Sequence, residues 1–206
     1  MKPTKEYNGR STIRMYLGDC MDLMKTGTWD LAIVDPPYTD EISGLGAGMN
    51  RGHFNFDNFK APKQQYVDDL MRVSRHQIMW GFNHYLELLH NTSGFVVWHK
   101  HQNGHFSECE MAWVSTGKGR FFDRPYQKDQ YNKIHPTQKP VQLYKWLLTN
   151  YAKEGDTILD THGGSMSIAI ACWDLGFDLD ICELDEDYFN DAVKRFENHV
   201  AQTQLF

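Results

Sequence analysis

The run Trp29-Asp30-Leu31-Ala32-Ile33-Val34 breaks off at Asp35-Pro36-Pro37-Tyr38. A short apolar run of this length is a buried strand, and an acid followed by two prolines and an aromatic cannot continue it. The strand must therefore deliver polar groups to an open end of a sheet. Neither proline has an N–H, so the backbone there offers carbonyl acceptors without competing donors. An Asp carboxylate beside the Pro36 carbonyl makes two acceptors that suit a flat NH2 group, with Tyr38 stacked on the ring that carries it. Such a seat fits a base bearing an exocyclic amine. As an isolated tetrapeptide the same residues also make an ordinary turn.

The rest of the chain alternates strands with helices. Strands are expected at residues 11–16, Trp29–Val34, 76–80, Gly94–His99, 108–116, Thr157–Asp160 and 179–183. A short helix follows Gly18-Asp19-Cys20 and runs through Met24. Further helices are expected at 62–74, starting on proline, and at 83–90, Val141–Tyr151, 165–175 and 186–199. Gly117-Lys118-Gly119 reads as a turn. This alternation implies an α/β fold with a doubly wound, mostly parallel sheet. With 206 residues, no internal repeat and no low-complexity linker, the chain fits one domain, 1–206. Residues 39–60 form a long loop in which Gly44, Gly46, Gly48 and Gly52 accompany Arg51, His53, Phe54 and Phe56. Glycine gives such a loop mobility, and the arginine and aromatics give it something to grip with; a bare surface excursion is the alternative.

A second constellation lies near the C-terminus. Ile158-Leu159-Asp160-Thr161-His162-Gly163-Gly164-Ser165 is strand, acid, tight glycine turn and helix start. Glycines there let backbone approach a ligand, and a helix N-terminus favours a carboxylate or phosphate. About twenty residues on, another strand ends in Glu183, placed to take the two hydroxyls of a ribose. The spacing of a dinucleotide fingerprint is absent, and Asp160 would repel a pyrophosphate. An acid at that point favours a cationic ligand, and S-adenosylmethionine carries both an ammonium and a sulfonium. A methyl donor beside an amine seat is the arrangement of a methyltransferase, provided the two strands are neighbours where the winding reverses.

Several motifs in one order then carry a resemblance. Asp35-Pro36-Pro37-Tyr38, His135-Pro136-Thr137-Gln138-Lys139-Pro140, Asp160 through Ser167, and Glu183-Leu184-Asp185-Glu186-Asp187-Tyr188 resemble the motifs of the amino-group (N6-adenine/N4-cytosine) DNA methyltransferases. The catalytic motif precedes the cofactor motif, as in the permuted beta class. Gly18-Asp19-Cys20, Trp80-Gly81-Phe82-Asn83, Trp98-His99-Lys100 and Ser107-Glu108-Cys109-Glu110-Met111-Ala112-Trp113 are similar to intervening segments of small phage-type members. The likeness spans about residues 12–198.

The resemblance implies a Rossmann-like fold and S-adenosyl-L-methionine as cofactor. Asp35, Pro36, Pro37 and Tyr38 would bind and orient a base flipped out of the duplex. Asp19, Cys20, Asp35, His135, Thr137, Lys139, Asp160, Thr161, His162, Gly163, Gly164, Ser165, Glu183 and Leu184 would surround the cofactor. The family's use of Asp-Pro-Pro-Tyr points to adenine N6, although the seat itself fits cytosine N4 equally. DNA is the implied partner; dimers are common in the family, and a homodimer and a cognate restriction enzyme are the further partners it raises. RNA, protein or small-molecule methylation stands as a rival activity.

Two departures from the family pattern bear on this. Met166 stands where a second glycine is usual, and Thr161 and His162 stand where proline and phenylalanine are frequent. A Met166 side chain turned toward the cofactor would leave an inert DNA- or partner-binding relic; turned into the helix–sheet packing, it would cost nothing. The segment 117–134 leaves little room for a separate target-recognition domain, yet Lys118, Arg120, Arg124, Lys128 and Lys133 stand there among Phe121, Phe122, Tyr126 and Tyr131. Basic residues interleaved with aromatics suit phosphate contact and base stacking; a solvated charged hairpin is the alternative. With Arg51 and His53 of the 39–60 loop they form the expected DNA contact, one that gives a short target site or loose specificity.

Composition limits the rest. The net charge of −6 gives no global attraction to nucleic acid, so any DNA contact must be a local basic surface. Cys20, Cys109, Cys172 and Cys182 show no close pairing, which fits reduced thiols in a cytoplasm. No membrane partner is expected. His99, His101 and His105 share a strand face, but no nearby Cys or acid completes a ligand set, so no metal is expected. His162 packs over the ligand or caps the helix.

Overall fold

The computed structural model describes residues 1–38, 61–102, 107–126 and 133–203. Their strands join one nine-stranded sheet: β1 (Lys5–Asn8), β2 (Thr12–Leu17), β3 (Trp29–Val34), β4 (Ser74–Trp80), β5 (Gly94–His99), β6 (Cys109–Val114), β7 (Arg120–Asp123), β8 (Thr157–Asp160) and β9 (Asp178–Glu183). The spatial order is β1-β2-β9-β8-β3-β4-β6-β5-β7. β2, β9, β8, β3 and β4 run parallel, β6 is antiparallel to both β4 and β5, and β7 lies parallel to β5.

Helices cover both faces. α3 (Val141–Tyr151), α4 (Ser167–Leu175) and α5 (Glu186–Thr203) lie on one, while α1 (Cys20–Leu23) and α2 (Gln64–Val73) lie on the other. The two-residue period of a strand divides β3 between them: Leu31 and Ile33 join the first core, Ala32 and Val34 the second. α2 is held by a single buried stripe, Tyr66, Val67, Leu70 and Val73, at the spacing that one helix face allows. α4 has no such polarity; Ser167 through Cys172 are all buried.

The winding reverses between β8 and β3. β8 leads through α4 to β9 on one side, and β3 leads through α2 to β4 on the other. β8 and β3 are themselves paired in parallel, with Leu31 opposite Ile158 and Ala32 opposite Leu159. The expected doubly wound, mostly parallel sheet is thus present, and the expected adjacency of these two strands with it.

Three local expectations need correction. Residues 83–90 are not one helix but two 3-10 turns, Phe82–His84 and Leu86–Leu88; the Tyr85 hydroxyl donates to the Trp80 carbonyl beneath them. β1 and β7 were not expected. β1 is a polar, largely exposed edge strand without an apolar run, and β7 follows the 117–119 turn to reach across to β5. The last helix also extends beyond His199 to Thr203. The 39–60 loop lies outside the described residues. Among those described, no helix is long and apolar enough to cross a membrane, and the four cysteines are free thiols.

Met166 opens α4 in the left-handed conformation, at φ 50°. The side chain is fully buried in the core formed by α3, α4, α5 and the sheet, so it turns into helix–sheet packing. A non-glycine residue held there costs ~1–3 kcal/mol, and loss of a buried methionine side chain costs ~2–5 kcal/mol. Met166→Gly relieves the first and incurs the second. We expect a net destabilisation of about 1–3 kcal/mol in urea titration, because the packing loss is the larger of the two.

Candidate functional site

The carboxyl ends of β2, β9, β8 and β3 open on one edge of the sheet, where ligands of doubly wound folds bind. Asp35 follows β3, Asp160 ends β8, Glu183 ends β9, and Gly18 and Asp19 follow β2. Asp35 is close enough to Asp160 for its charge to help raise the Asp160 pKa.

Asp35 is the end of a buried chain of charges. Lys139 Nζ donates to Asp35 Oδ2 at 2.5 Å and lies 3.1 Å from Glu110 Oε2. Lys100 Nζ closes the chain on Glu110 Oε1 at 3.0 Å. The Tyr38 hydroxyl donates to the other Asp35 oxygen at 2.9 Å. The Lys139 side chain is only 2% exposed, so its charge is sustained by its partners. Burial works against that charge, but the two carboxylates outweigh it and raise the lysine's pKa. Burial raises Asp35, opposed by the Lys139 charge and reinforced by Glu110. For Glu110, burial is overcome by Lys139 and Lys100, which hold its carboxyl below the usual range.

The aromatic part is fixed from below. Tyr38 stacks on His84 with ring centroids 5.0 Å apart and planes 10° from parallel. Gly81, at φ 72°, lies beneath the Tyr38 ring, and a Cβ there would fall 2.1 Å from ring carbon Cε1. Glycine is needed on both counts. Lys139 Nζ also sits 5.3 Å from the Trp80 ring centroid, within the range of a cation–π contact.

The second half of the site is the 160–167 turn. Asp160 is 2% exposed, and burial pushes its carboxyl up to about 8. Its Oδ1 accepts from the His162 N–H at 3.0 Å. Glu183 accepts from the Gly164 N–H at 2.6 Å and from the Asp185 N–H at 2.9 Å, which ties the glycine turn to the end of β9. Gly163 donates to the Cys182 carbonyl at 2.7 Å, where an added Cβ would lie 3.2 Å from that oxygen. Thr161 joins the Tyr66 hydroxyl at 2.6 Å to His162 Nδ1 at 2.9 Å. Arg195 from α5 grips the Ser165 carbonyl at 2.6 Å and Ser167 Oγ at 3.1 Å. His135 rests edge-on against Tyr188, with ring centroids 4.5 Å apart. Burial keeps both histidines neutral, lowering His135 to about 3 and His162 to about 4.

The remaining residues marked from sequence fall into three groups. Asp19 is exposed and caps α1 by accepting from the Met21 N–H at 2.8 Å. Cys20 lies beside it, its thiol pushed up to about 12 by burial. Thr137 leans on His135 Nδ1, 3.2 Å from its hydroxyl. Pro36 is buried and Pro37 half-buried beside Asp35, while Leu184 is 52% exposed past Glu183. Arg124 follows β7 on the same edge, its carbonyl accepting from Trp98 Nε1 at 3.0 Å. Lys118 and Arg120 are elsewhere: they line a cleft of about 560 Å³ at the opposite, amino edge of the sheet, with Asp30, Arg75 and Tyr151. Arg51, His53 and Lys128 lie outside the described residues.

Glu110, Lys100, Tyr66, Arg195 and the fit of Gly81 under Tyr38 were not singled out from sequence. Glu110 carried one signal: it shares a face of β6 with Ala112 and Val114, and a lone acid on an apolar face needs a buried partner.

The family model described as DNA methylase (N6_N4_Mtase) matches residues 52–194, more than half of the chain; Asp35-Pro36-Pro37-Tyr38 precedes the matched stretch. No curated protein matches in sequence. Among solved structures, M1.HpyAVI in complex with SAM is similar at TM-score 0.60 and 19% identity, over 89% of this chain and 99% of that one. The putative DNA modification methylase TTHA0409 of Thermus thermophilus, complexed with S-adenosyl-L-methionine, is similar at TM-score 0.59 and 18% identity, over 90% and 95%. PvuII DNA methyltransferase, cytosine-N4-specific, reaches TM-score 0.66 at 12% identity, over 97% and 93%. At these identities the likeness speaks for the fold, that of S-adenosylmethionine-dependent methyltransferases. The family match goes further: the chain belongs to the amino-group (N6/N4) DNA methylase family.

Proposed function

We propose that this chain transfers a methyl group from S-adenosyl-L-methionine to the N6 amine of an adenine flipped out of DNA. The observation that carries the proposal is the pairing of β3 with β8 at the reversal of winding, which brings the ends of these two strands, and with them Asp35 and Asp160, to one edge of the sheet.

The residues present fit the cofactor. Asp160 is a buried carboxyl that accepts from the His162 N–H and is pushed up by burial, and an arriving ammonium would supply the charge that burial withholds. Glu183 is anchored by two backbone N–H groups and keeps lone pairs for a ribose diol. Met166, in the core, does not crowd the turn. When bound, the cofactor supplies an electrophilic methyl group.

The chain's own residues do the positioning. The base amine takes the place of the Tyr38 hydroxyl on Asp35, and the Pro36 carbonyl accepts its second hydrogen. The freed Tyr38 ring stacks on the base. The Lys139 charge opposes the rise that burial imposes on Asp35, and Glu110 balances the lysine so that its charge does not oppose the positive charge growing on the amine. In-line approach of nitrogen to the methyl carbon is then a matter of geometry, and the proton leaves to water. Arg124, on the same edge, is a candidate phosphate contact.

Cytosine N4 is the second reading, favoured by the equal fit of the seat to either amine. Incubation with isotope-labelled S-adenosylmethionine and unmethylated genomic DNA, followed by nucleoside mass spectrometry, distinguishes the two. Labelled N6-methyladenine is expected; label in N4-methylcytosine moves the substrate and keeps the mechanism, and label in neither contradicts both.

Asp35→Ala should abolish transfer while calorimetry shows cofactor binding mostly intact. Retained methylation would refute the seat. Asp160 gives a pH signature. Free, it is protonated below about 8, and a cationic ligand selects the ionised form. Cofactor affinity should therefore rise about tenfold per pH unit below that pKa and level off above it. Asp160→Asn should bind weakly at every pH, without that slope.

A further inference from the structure

We infer that His99, His101 and Asp123 form a binding site for one divalent transition-metal ion, zinc by ligand type, at the carboxyl edge of β5 and β7. No motif prepares for it, because the acid comes from a strand 24 residues beyond His99. β7 pairs with β5 in parallel and in register, so that His99 and Asp123, the last residues of their strands, lie side by side. Just past β5 the chain turns at His101, which holds a left-handed φ of 52°. That turn folds the His101 ring back onto His99, with centroids 3.9 Å apart.

Three ligand atoms from these residues lie within 4.8 Å of one another. His99 Nδ1 is 2.9 Å and His101 Nε2 is 2.5 Å from the same oxygen, Asp123 Oδ1. His99 Nε2 faces Glu108 Oε1 at 3.4 Å. A neutral imidazole has one N–H and can donate to only one of these two acids, whereas a protonated ring can donate to both. A cation at Nδ1 serves both acids with the ring neutral: the ring ligates through Nδ1 and gives its single N–H to Glu108. That is the carboxylate–histidine–metal arrangement in which an outer acid orients a ligating ring.

Two imidazoles and one carboxylate suit zinc, cobalt or nickel better than magnesium or calcium, which prefer oxygen alone. Metal bonds of ~2.0–2.2 Å need the ligand atoms a little further apart than they stand. Asp123 is 54% exposed in its side chain and free to withdraw by that amount. Three protein ligands leave a fourth position open to water. The ion would fasten the turn after β5 to the end of β7, on the edge where Asp35 and Arg124 also lie.

The test is titration of the full chain with Co2+ and Zn2+, followed by visible absorption and calorimetry. One Co2+ per chain is expected, with d–d bands of nitrogen and oxygen ligation and no thiolate charge-transfer band. His101→Ala and Asp123→Asn should each weaken binding by more than the ~10-fold that loss of an outer-shell partner costs, and Glu108→Gln by about that much. Cys109→Ser, opposite His99 in the sheet, should leave binding unchanged. Zn2+ should raise the Tm of the parent chain but not of His101→Ala, whose metal-free Tm shows whether the variant is folded. Absence of saturable binding, equal binding by the folded variants, or loss of binding in Cys109→Ser would overturn the site.

Discussion

One buried ammonium organises the catalytic edge of this protein. Lys139 comes from the segment before α3, yet it touches Asp35 at the end of β3 and Glu110 on β6, and through Glu110 it is linked to Lys100 after β5. Two acids and two lysines balance. Taking such charges out of water is costly, and the cost is met only while every member keeps its partners. Deleting one leaves an unpaired charge in the interior, a penalty of ~3–5 kcal/mol. Four segments distant in sequence are thereby fixed to one point, and that point orients the carboxylate proposed to seat the base.

The same edge joins two kinds of acid. Asp35 is ion-paired and served by a phenol, whereas Asp160 is buried, accepts from the His162 N–H and makes no ion pair among the described residues. Burial raises both; at Asp35 the Lys139 charge works against that rise, while Asp160 resists ionisation until a cation arrives. Two carboxylates at neighbouring strand ends are thus given different tasks by their surroundings. The backbone contributes through strain and close approach: Gly81 clears room for Tyr38, and Met166 accepts a left-handed conformation to start α4 from the core.

Much of this was legible in the sequence because it is local. Strand runs that end in Asp35, Asp160 and Glu183 declare themselves by apolar length and an abrupt acid, and the alternation with helices gives the winding. What escaped is non-local or lacks an apolar run. β1 and β7 are short edge strands with few buried positions. The 82–88 segment has apolar residues at helical spacing, but Gly81 and the Tyr85 hydroxyl break it into 3-10 turns. Glu110 gains its meaning from a lysine 29 residues away, and Asp123 from a histidine on a strand that skips its sequence neighbour in the sheet. Lys118 and Arg120 read as one basic cluster with Arg124, but β7 carries the chain across the sheet between them and separates them to opposite edges.

The central claim is that Lys139 holds the base seat together through paired charge. Measuring thermal stability and DNA methylation for Lys139→Met, alone and combined with Asp35→Asn, which leaves the Glu110–Lys100 pair intact, tests it most directly. The single variant is expected to be destabilised and without transfer, and the double variant to recover stability, because the carboxylate left unpaired is gone, but not transfer. A Lys139→Met protein as stable and as active as the parent would contradict it.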